Sequence, residues 1–145
     1  MAVSQNLLFS GGAAFQNNVE PPAGAWIAKL IHDGLQVNGW QVFTIDNWRD
    51  SGWSFGCGRG SSKVCVILAK PAELREWIVQ IIPSHVPSFF QRLFGGKPSA
   101  LPQDIYATAQ GVHAILSKQK EFRGFQWSWD AYPSAERSTP EPTAP

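Results

Sequence analysis

The spacing of apolar residues along the chain predicts three helices. The first follows Pro21-Pro22 and ends at Asn38-Gly39, where glycine is typical of a helix end. A short helix is predicted over 87–94 and a longer one over 102–120. The first helix carries apolar residues at i, i+3, i+4 and i+7: Ile27, Leu30, Ile31 and Gly34. The longest helix carries them at i, i+4, i+7 and i+11: Ile105, Ala109, Val112 and Leu116. Each pattern places one apolar stripe toward a core.

Strands are predicted where apolar and polar residues alternate, or where β-branched residues run together. Over 53–57, Trp53, Phe55 and Cys57 alternate with small polar residues, which is typical of a half-buried strand. The run 63–69 is apolar on both faces and predicts a central strand. The other predicted strands occupy 5–10, 40–45, 76–82 and 125–129.

The order of these elements, β-α-β-β-β-β-α-α-β, predicts an α+β fold. We expect an antiparallel meander sheet of about five strands, with two or three helices packed on one face. Residues 1–132 would form a single domain. The segment 133–145 consists mainly of Pro, Ser, Thr, Ala and Glu, and burial of such residues cannot offset the entropy lost on ordering them. We therefore predict that this tail is disordered.

Size and charge limit the classes of function. The chain has 145 residues with a net charge of +1, and its Lys and Arg residues are scattered. Nucleic-acid binding needs a concentrated positive field, so no nucleic-acid partner is expected. The same overall balance predicts no docking on an anionic membrane. Seven Trp and nine Phe are many for this length, and we expect most of them in the core and a minority on a recognition surface.

The two cysteines indicate a cytoplasmic protein. Cys57 and Cys65 are too few for a disulfide framework, and no stretch of the sequence is apolar for long enough to span a bilayer. Residues 1–10 contain no Lys or Arg, so no signal peptide is predicted. We expect reduced thiols that behave as small apolar groups, with a disulfide only if strand register brings the two Cβ atoms close. No metal site and no cofactor are predicted.

The glycine-rich loop 56–63 does not match a phosphate-binding motif. A serine precedes Lys63 where the motif requires glycine, and a strand rather than a helix follows the loop. We interpret it as a hairpin loop whose glycines adopt positive φ. An enzyme with a nucleophilic Cys57 and His85 as its base is an alternative, but no local signature supports it, so no catalytic residue is predicted.

The turn after Ile45 is the best candidate for a binding site. It carries two Trp among charged residues, and Trp and Arg are enriched in binding hot spots. The candidate binding residues, with one arginine added from the glycine-rich loop, are Asp46, Trp48, Arg49, Asp50, Trp53 and Arg59. Alternatively, Trp48 folds back and caps the core. The Phe89-Phe90 pair poses the same question, with one ring expected in the core and the other exposed near Arg92.

Five fragments, taken in order, resemble a loose group of small bacterial proteins without assigned function, some of them similar to toxin-immunity proteins. The fragments are LLFSG (7–11), GWSFGCGRG (52–60), REWIVQIIP (75–83), RLFGG (92–96) and FRGFQWSW (122–129). The resemblance implies an α+β fold, a bacterial cytosolic setting and no catalysis. It assigns no functional residues.

The function expected from the sequence is protein binding without catalysis, as an immunity-type or regulatory partner of another bacterial protein. A rigid surface bearing aromatic residues would act by occluding that partner. The first alternative is a small-molecule or carbohydrate binder that uses Trp48 and Trp53 as stacking rings. The second is the Cys57/His85 enzyme.

Overall fold

The structure, a computed structural model, describes residues 3–12, 22–71, 74–85, 88–131 and 133–145. These residues form seven strands and three helices. The strands are β1 (Gln5–Gly11), β2 (Gln41–Val42), β3 (Asp46–Trp48), β4 (Gly52–Arg59), β5 (Ser62–Ala69), β6 (Trp77–Pro83) and β7 (Phe122–Ser128). The helices are α1 (Ala25–Val37), α2 (Phe89–Leu93) and α3 (Pro102–Ser117). None of these helices is both long and apolar enough to cross a membrane.

The α+β class and the antiparallel sheet are confirmed, whereas the predicted count of about five strands is wrong. The sheet order is β2-β4-β5-β6-β1-β7. Strand β3 also pairs with β4, at the start of β4, whereas β2 pairs near its end. The predicted strand over 40–45 shortens to the two residues of β2, and the predicted turn that follows contains β3. Strands β4, β5 and β6 form a meander, but β1 lies between β6 and β7, a placement that depends on long-range pairing.

The core lies between one face of the sheet and the helices α1 and α3. Leu7 of β1 pairs with Val79 on one side and with Trp127 on the other, and all three side chains are buried. The predicted apolar stripe of α3 is confirmed, because its four residues are fully buried. Helix α1 buries Ile27 and Ile31 as predicted, whereas Leu30 is only partly buried. Helix α2 buries none of its residues, so two helices pack on the sheet.

Helix α1 begins at Ala25, three residues after Pro22; Pro21 and the predicted connector 17–20 lie outside the described residues. Gly24 precedes the helix at a φ of 102°. A Cβ atom at this position would lie 2.7 Å from the Trp77 ring. The helix start therefore depends on a glycine that allows both the left-handed backbone and the close approach of the Trp77 ring.

The tail, for which the composition predicts disorder, supplies hydrogen-bond partners rather than apolar surface. Thr139 and Trp127 exchange two backbone hydrogen bonds, of 2.8 and 2.9 Å, at the edge of β7. The Thr143 carbonyl accepts bonds from the Gln5 amide at 3.2 Å and from the Trp129 indole at 3.0 Å. A strand edge and buried donors need acceptors, and backbone carbonyls provide them whatever the side chains are.

The His113 ring connects α3 to β7 beneath the tail. Its Nδ1 atom accepts a hydrogen bond from the Trp127 indole at 3.1 Å, so the ring is neutral with its proton on Nε2. The ring also contacts Phe125 edge to face. Burial lowers the pKa of His113 below its usual value, and the nearby Glu141 carboxylate opposes this shift.

We expect His113 to make the stability of the protein depend on pH. Its pKa is lower in the folded state than the ordinary 6.5, so the unfolded chain takes up a proton first as the pH falls. The contribution of His113 to the free energy of unfolding is therefore fully present at pH values well above 6.5 and decreases as the pH falls below 6.5. Urea unfolding at pH values above and below 6.5 measures the decrease, which should be smaller in His113→Gln. Equal pH dependence in the two proteins would contradict the assignment.

Candidate functional site

The hairpin between β3 and β4 brings together most of the residues predicted from the sequence. The Ser51 N–H donates to the Trp48 carbonyl at 2.9 Å, which closes the turn. Arg49 and Asp50, its central residues, have φ values of 52° and 56°, a combination typical of type I′ turns. The Asn47 side chain accepts a bond from the Asp50 N–H at 2.8 Å and helps to hold this strained backbone.

The two Trp residues of the hairpin are both half-buried, and they differ in role. The Trp53 indole donates to the Pro22 carbonyl at 3.0 Å, and its ring packs against the core. Trp48 lies on the edge strand β3, with the Arg49 guanidinium 5.2 Å from the centroid of its ring. Trp53 therefore contributes to the core, and Trp48 is the ring that a ligand could reach.

Arg59 lies apart from the other predicted residues, at the opposite end of β4. Gly52 and Arg59 are seven residues apart on one strand, which corresponds to about 23 Å. The Arg59 guanidinium lies 4.2 Å from the centroid of the Trp40 ring and donates to the Asn38 carbonyl at 3.2 Å. It thus satisfies a carbonyl at the end of α1, a structural role that the sequence pattern did not indicate.

A cleft of about 490 Å³ opens beside the hairpin. Trp48, Asp50, Ser51 and Lys70 contribute to its wall. A flat indole beside a carboxylate, a hydroxyl and an ammonium group suits a small polar ligand with one apolar face. Asp46 lies on β3, outside the residues that line this cleft.

A groove between α1 and α3 presents the more apolar concave surface, with a volume of about 460 Å³. We call it the α1–α3 groove. Its apolar wall is formed by Trp26, Leu30, Val37 and Ile115. The Trp26 side chain is 49% exposed and that of Val37 is 85% exposed. Two apolar side chains of α1 are therefore exposed to solvent, although the opposite face of the same helix is packed in the core.

Gly34 determines how closely the two helices approach along this groove. A Cβ atom at Gly34 would lie 2.7 Å from the Ile115 side chain, so a larger residue would push α3 away. Lys29 and Asp33 form an ion pair of 2.9 Å at the rim, and Lys118 also lines the groove. The hydrogen bond from Lys29, together with the one from His32, lowers the pKa of Asp33, so this carboxylate stays charged.

The sequence pattern did contain a signal for this groove. Trp26, Leu30, Gly34 and Val37 lie at i, i+4, i+8 and i+11, which is a second stripe beside the buried one formed by Ile27, Ile31 and Leu35. A helix that carries two neighbouring apolar stripes has more apolar surface than one contact with a core requires.

Helix α2 presents an apolar ridge to solvent, formed by Phe89, Phe90, Leu93 and Phe94. We call it the α2 ridge. Phe89 and Phe90 are each 71% exposed, so the expectation that one of these rings enters the core is wrong. Leu93 is 64% exposed and Phe94 is 88% exposed. The helix lies in the connection between β6 and α3, beyond the reach of the core.

The thiols do not form a nucleophilic site. Cys57 pairs with Val64 and Cys65 pairs with Gly56, so the two side chains point to opposite faces of the sheet and no disulfide forms. Burial raises the pKa of Cys57 to about 12, which keeps the thiol protonated and unreactive at neutral pH. His85 is exposed beyond the end of β6. Among the described residues, no three His, Cys, Asp or Glu side chains converge to hold a metal ion.

Comparison of the chain with protein-family models, curated proteins and solved structures finds no match.

Proposed function

We propose that this chain is a protein-binding domain without catalytic activity, and that its partner occupies the α1–α3 groove. The observation that carries the proposal is the exposure of Trp26 and Val37 along an apolar groove between two packed helices. Exposed apolar grooves of this kind bind an amphipathic helix or an extended apolar segment.

The groove lies on two packed helices, and this rigidity favours its use as a binding surface. Helices α1 and α3 are held by their buried faces, so a partner does not have to order them. Trp is among the residues most enriched in binding hot spots, and Trp26 lies at the first turn of α1. The charged side chains at the rim would surround the apolar centre, as in known interfaces.

Within this proposal, the protein is an immunity-type or regulatory partner of another bacterial protein and acts in the cytoplasm. A rigid domain that binds through one groove and carries no catalytic group would act by covering a functional surface of its partner. The two unpaired thiols, one on each face of the sheet, are compatible with a reducing compartment.

The test begins with purification of the tagged protein from its host, followed by binding measurements on the purified partner. We expect one stoichiometric partner. Its affinity should decrease on the order of 30-fold in Val37→Glu, because the interface would bury a charge and lose an apolar contact, at a cost of roughly 2 kcal/mol. Gln36→Glu is the matched control, since it adds the same charge at the neighbouring exposed position, outside the groove. Equal affinity in Val37→Glu and Gln36→Glu would exclude the groove as the interface.

A small-molecule or carbohydrate binder remains the second candidate, and the cleft beside Trp48 favours it. A protein that is purified without a partner would direct the search to this cleft. Binding of a glycan or metabolite that is lost in Trp48→Ala and kept in Val37→Glu would then support the second candidate.

A further inference from the structure

Hydrogen bonds on both sides of α2 help to hold the α2 ridge away from the core. The Ser88 and Gln91 side chains form a capping box at the start of α2, and the Gly96 N–H donates to the Gln91 carbonyl. On either side of the helix, Ser99 donates to the His85 carbonyl at 3.0 Å, and Lys63 donates to the Ser99 carbonyl at 2.9 Å. These bonds attach the segment to the sheet while its apolar side chains face water.

The sequence segment that carries the ridge contains cations and no anions. The sequence contains no Asp or Glu between residues 77 and 103, whereas Arg92 and Lys97 lie within this stretch. Lys63, exposed on β5, is bonded to the same segment through its backbone. The net charge of +1 for the whole chain does not reveal this local excess of cations.

One cation, Lys97, and two aromatic rings share a concave surface beside the ridge. A cleft of about 400 Å³ is lined by His85, Phe90, Phe94 and Lys97, with Gln91 and Gly96 between them. An anionic group held by Lys97 would therefore lie directly beside two exposed aromatic rings. This combination of exposed aromatic side chains and adjacent cations is the chemistry of an interfacial membrane contact.

We infer that the α2 ridge docks the protein on an anionic lipid surface, with its Phe side chains among the acyl chains and Arg92 and Lys97 at the head groups. A second copy of this chain is a poorer occupant, because its α1–α3 groove carries two lysines and one aspartate at the rim. The ridge would place its own cations against that net positive rim. A fluid bilayer, by contrast, needs no preformed groove to accept a convex ridge.

The test is co-sedimentation of the full chain with vesicles of pure phosphatidylcholine and of an equimolar mixture with phosphatidylglycerol. We expect binding to the anionic vesicles, weakened by high ionic strength, and little binding to the neutral ones. The double variant Phe90→Ser/Phe94→Ser should lose more than about tenfold in partitioning, because two exposed rings are removed. The double variant Arg92→Gln/Lys97→Gln should lose about 25-fold on anionic vesicles, or about fivefold for each cation.

Phe43→Ser is the control, because it removes a partly exposed ring that lies outside both the ridge and the α1–α3 groove. It should bind vesicles like the unchanged protein. All four positions in the ridge variants are exposed, so these variants should fold, and circular dichroism checks that they do. Absence of binding to anionic vesicles, or equal binding by Phe90→Ser/Phe94→Ser, would overturn the inference. A dimer in sedimentation experiments that the same variant dissociates would assign the ridge to a second copy instead.

Discussion

Replacing Trp77 with alanine is expected to lower the free energy of unfolding by about 3–5 kcal/mol. The ring is fully buried on β6, where it pairs with Phe9 of β1. Its indole N–H donates to the Gly11 carbonyl at 3.1 Å, and the ring lies against Gly24, the residue before α1. The substitution would leave a cavity where β1, β6 and the start of α1 meet, and it would remove one hydrogen bond.

Denaturant unfolding measures this loss, and two variants separate its causes. Trp77→Phe keeps an aromatic ring and loses the hydrogen bond, so we expect a smaller decrease of about 1–2 kcal/mol. Trp26→Ala makes the same change as Trp77→Ala at a half-exposed site, where we expect less than about 1 kcal/mol. Similar decreases in the free energy of unfolding for Trp77→Ala and Trp26→Ala would contradict the expectation that the buried ring contributes more to stability.

Removal of 133–145 is expected to lower the free energy of unfolding by about 2–4 kcal/mol. The truncation removes both backbone bonds between Thr139 and Trp127, together with the Thr143 carbonyl. Gln5 is fully buried, and its amide N–H would be left without this acceptor. The free edge of β7 would also be exposed to other chains.

Hydrogen exchange at the Trp127 amide gives a local measure of the same effect. The Trp127 N–H donates to the Thr139 carbonyl, so its exchange should accelerate when the tail is removed. Removal of Pro145 alone is the control, because the bonds described above end at Thr143, whose carbonyl remains part of a peptide bond. Unchanged stability and unchanged exchange in the longer truncation would support the disordered tail that the composition predicts.

Local periodicity predicted more of the fold than of the candidate site. The alternation at Trp53, Phe55 and Cys57 and the helical spacing of the α3 residues each depend on one segment, so they could be recognised without the fold. The split of 40–45 into the short strand β2 and an irregular stretch could not be recognised in this way. It arises because β2 and β3 pair with different parts of the same edge of β4.

The candidate site shows the same limit. The sequence indicated a binding turn that carries Trp48 and Trp53 among charged residues, but the bond from Trp53 to the Pro22 carbonyl joins residues 31 positions apart. Arg59 was grouped with the hairpin by its place in a glycine-rich loop, although the length of β4 separates them. Trp26 and Val37 lay in a visible second stripe, yet only the position of α3 shows that this stripe borders a groove.

The sequence by itself determined the α+β class, the type and approximate place of most elements and the buried stripe of α3, because these follow from propensity and spacing within single segments. The tertiary structure alone decided that β1 lies between β6 and β7, that the tail bonds to Trp127, and that the α2 ridge remains exposed. Each of these depends on which distant residue occupies the adjacent space. A pattern within one segment shows that an apolar surface exists, but only the packed chain shows whether that surface is covered.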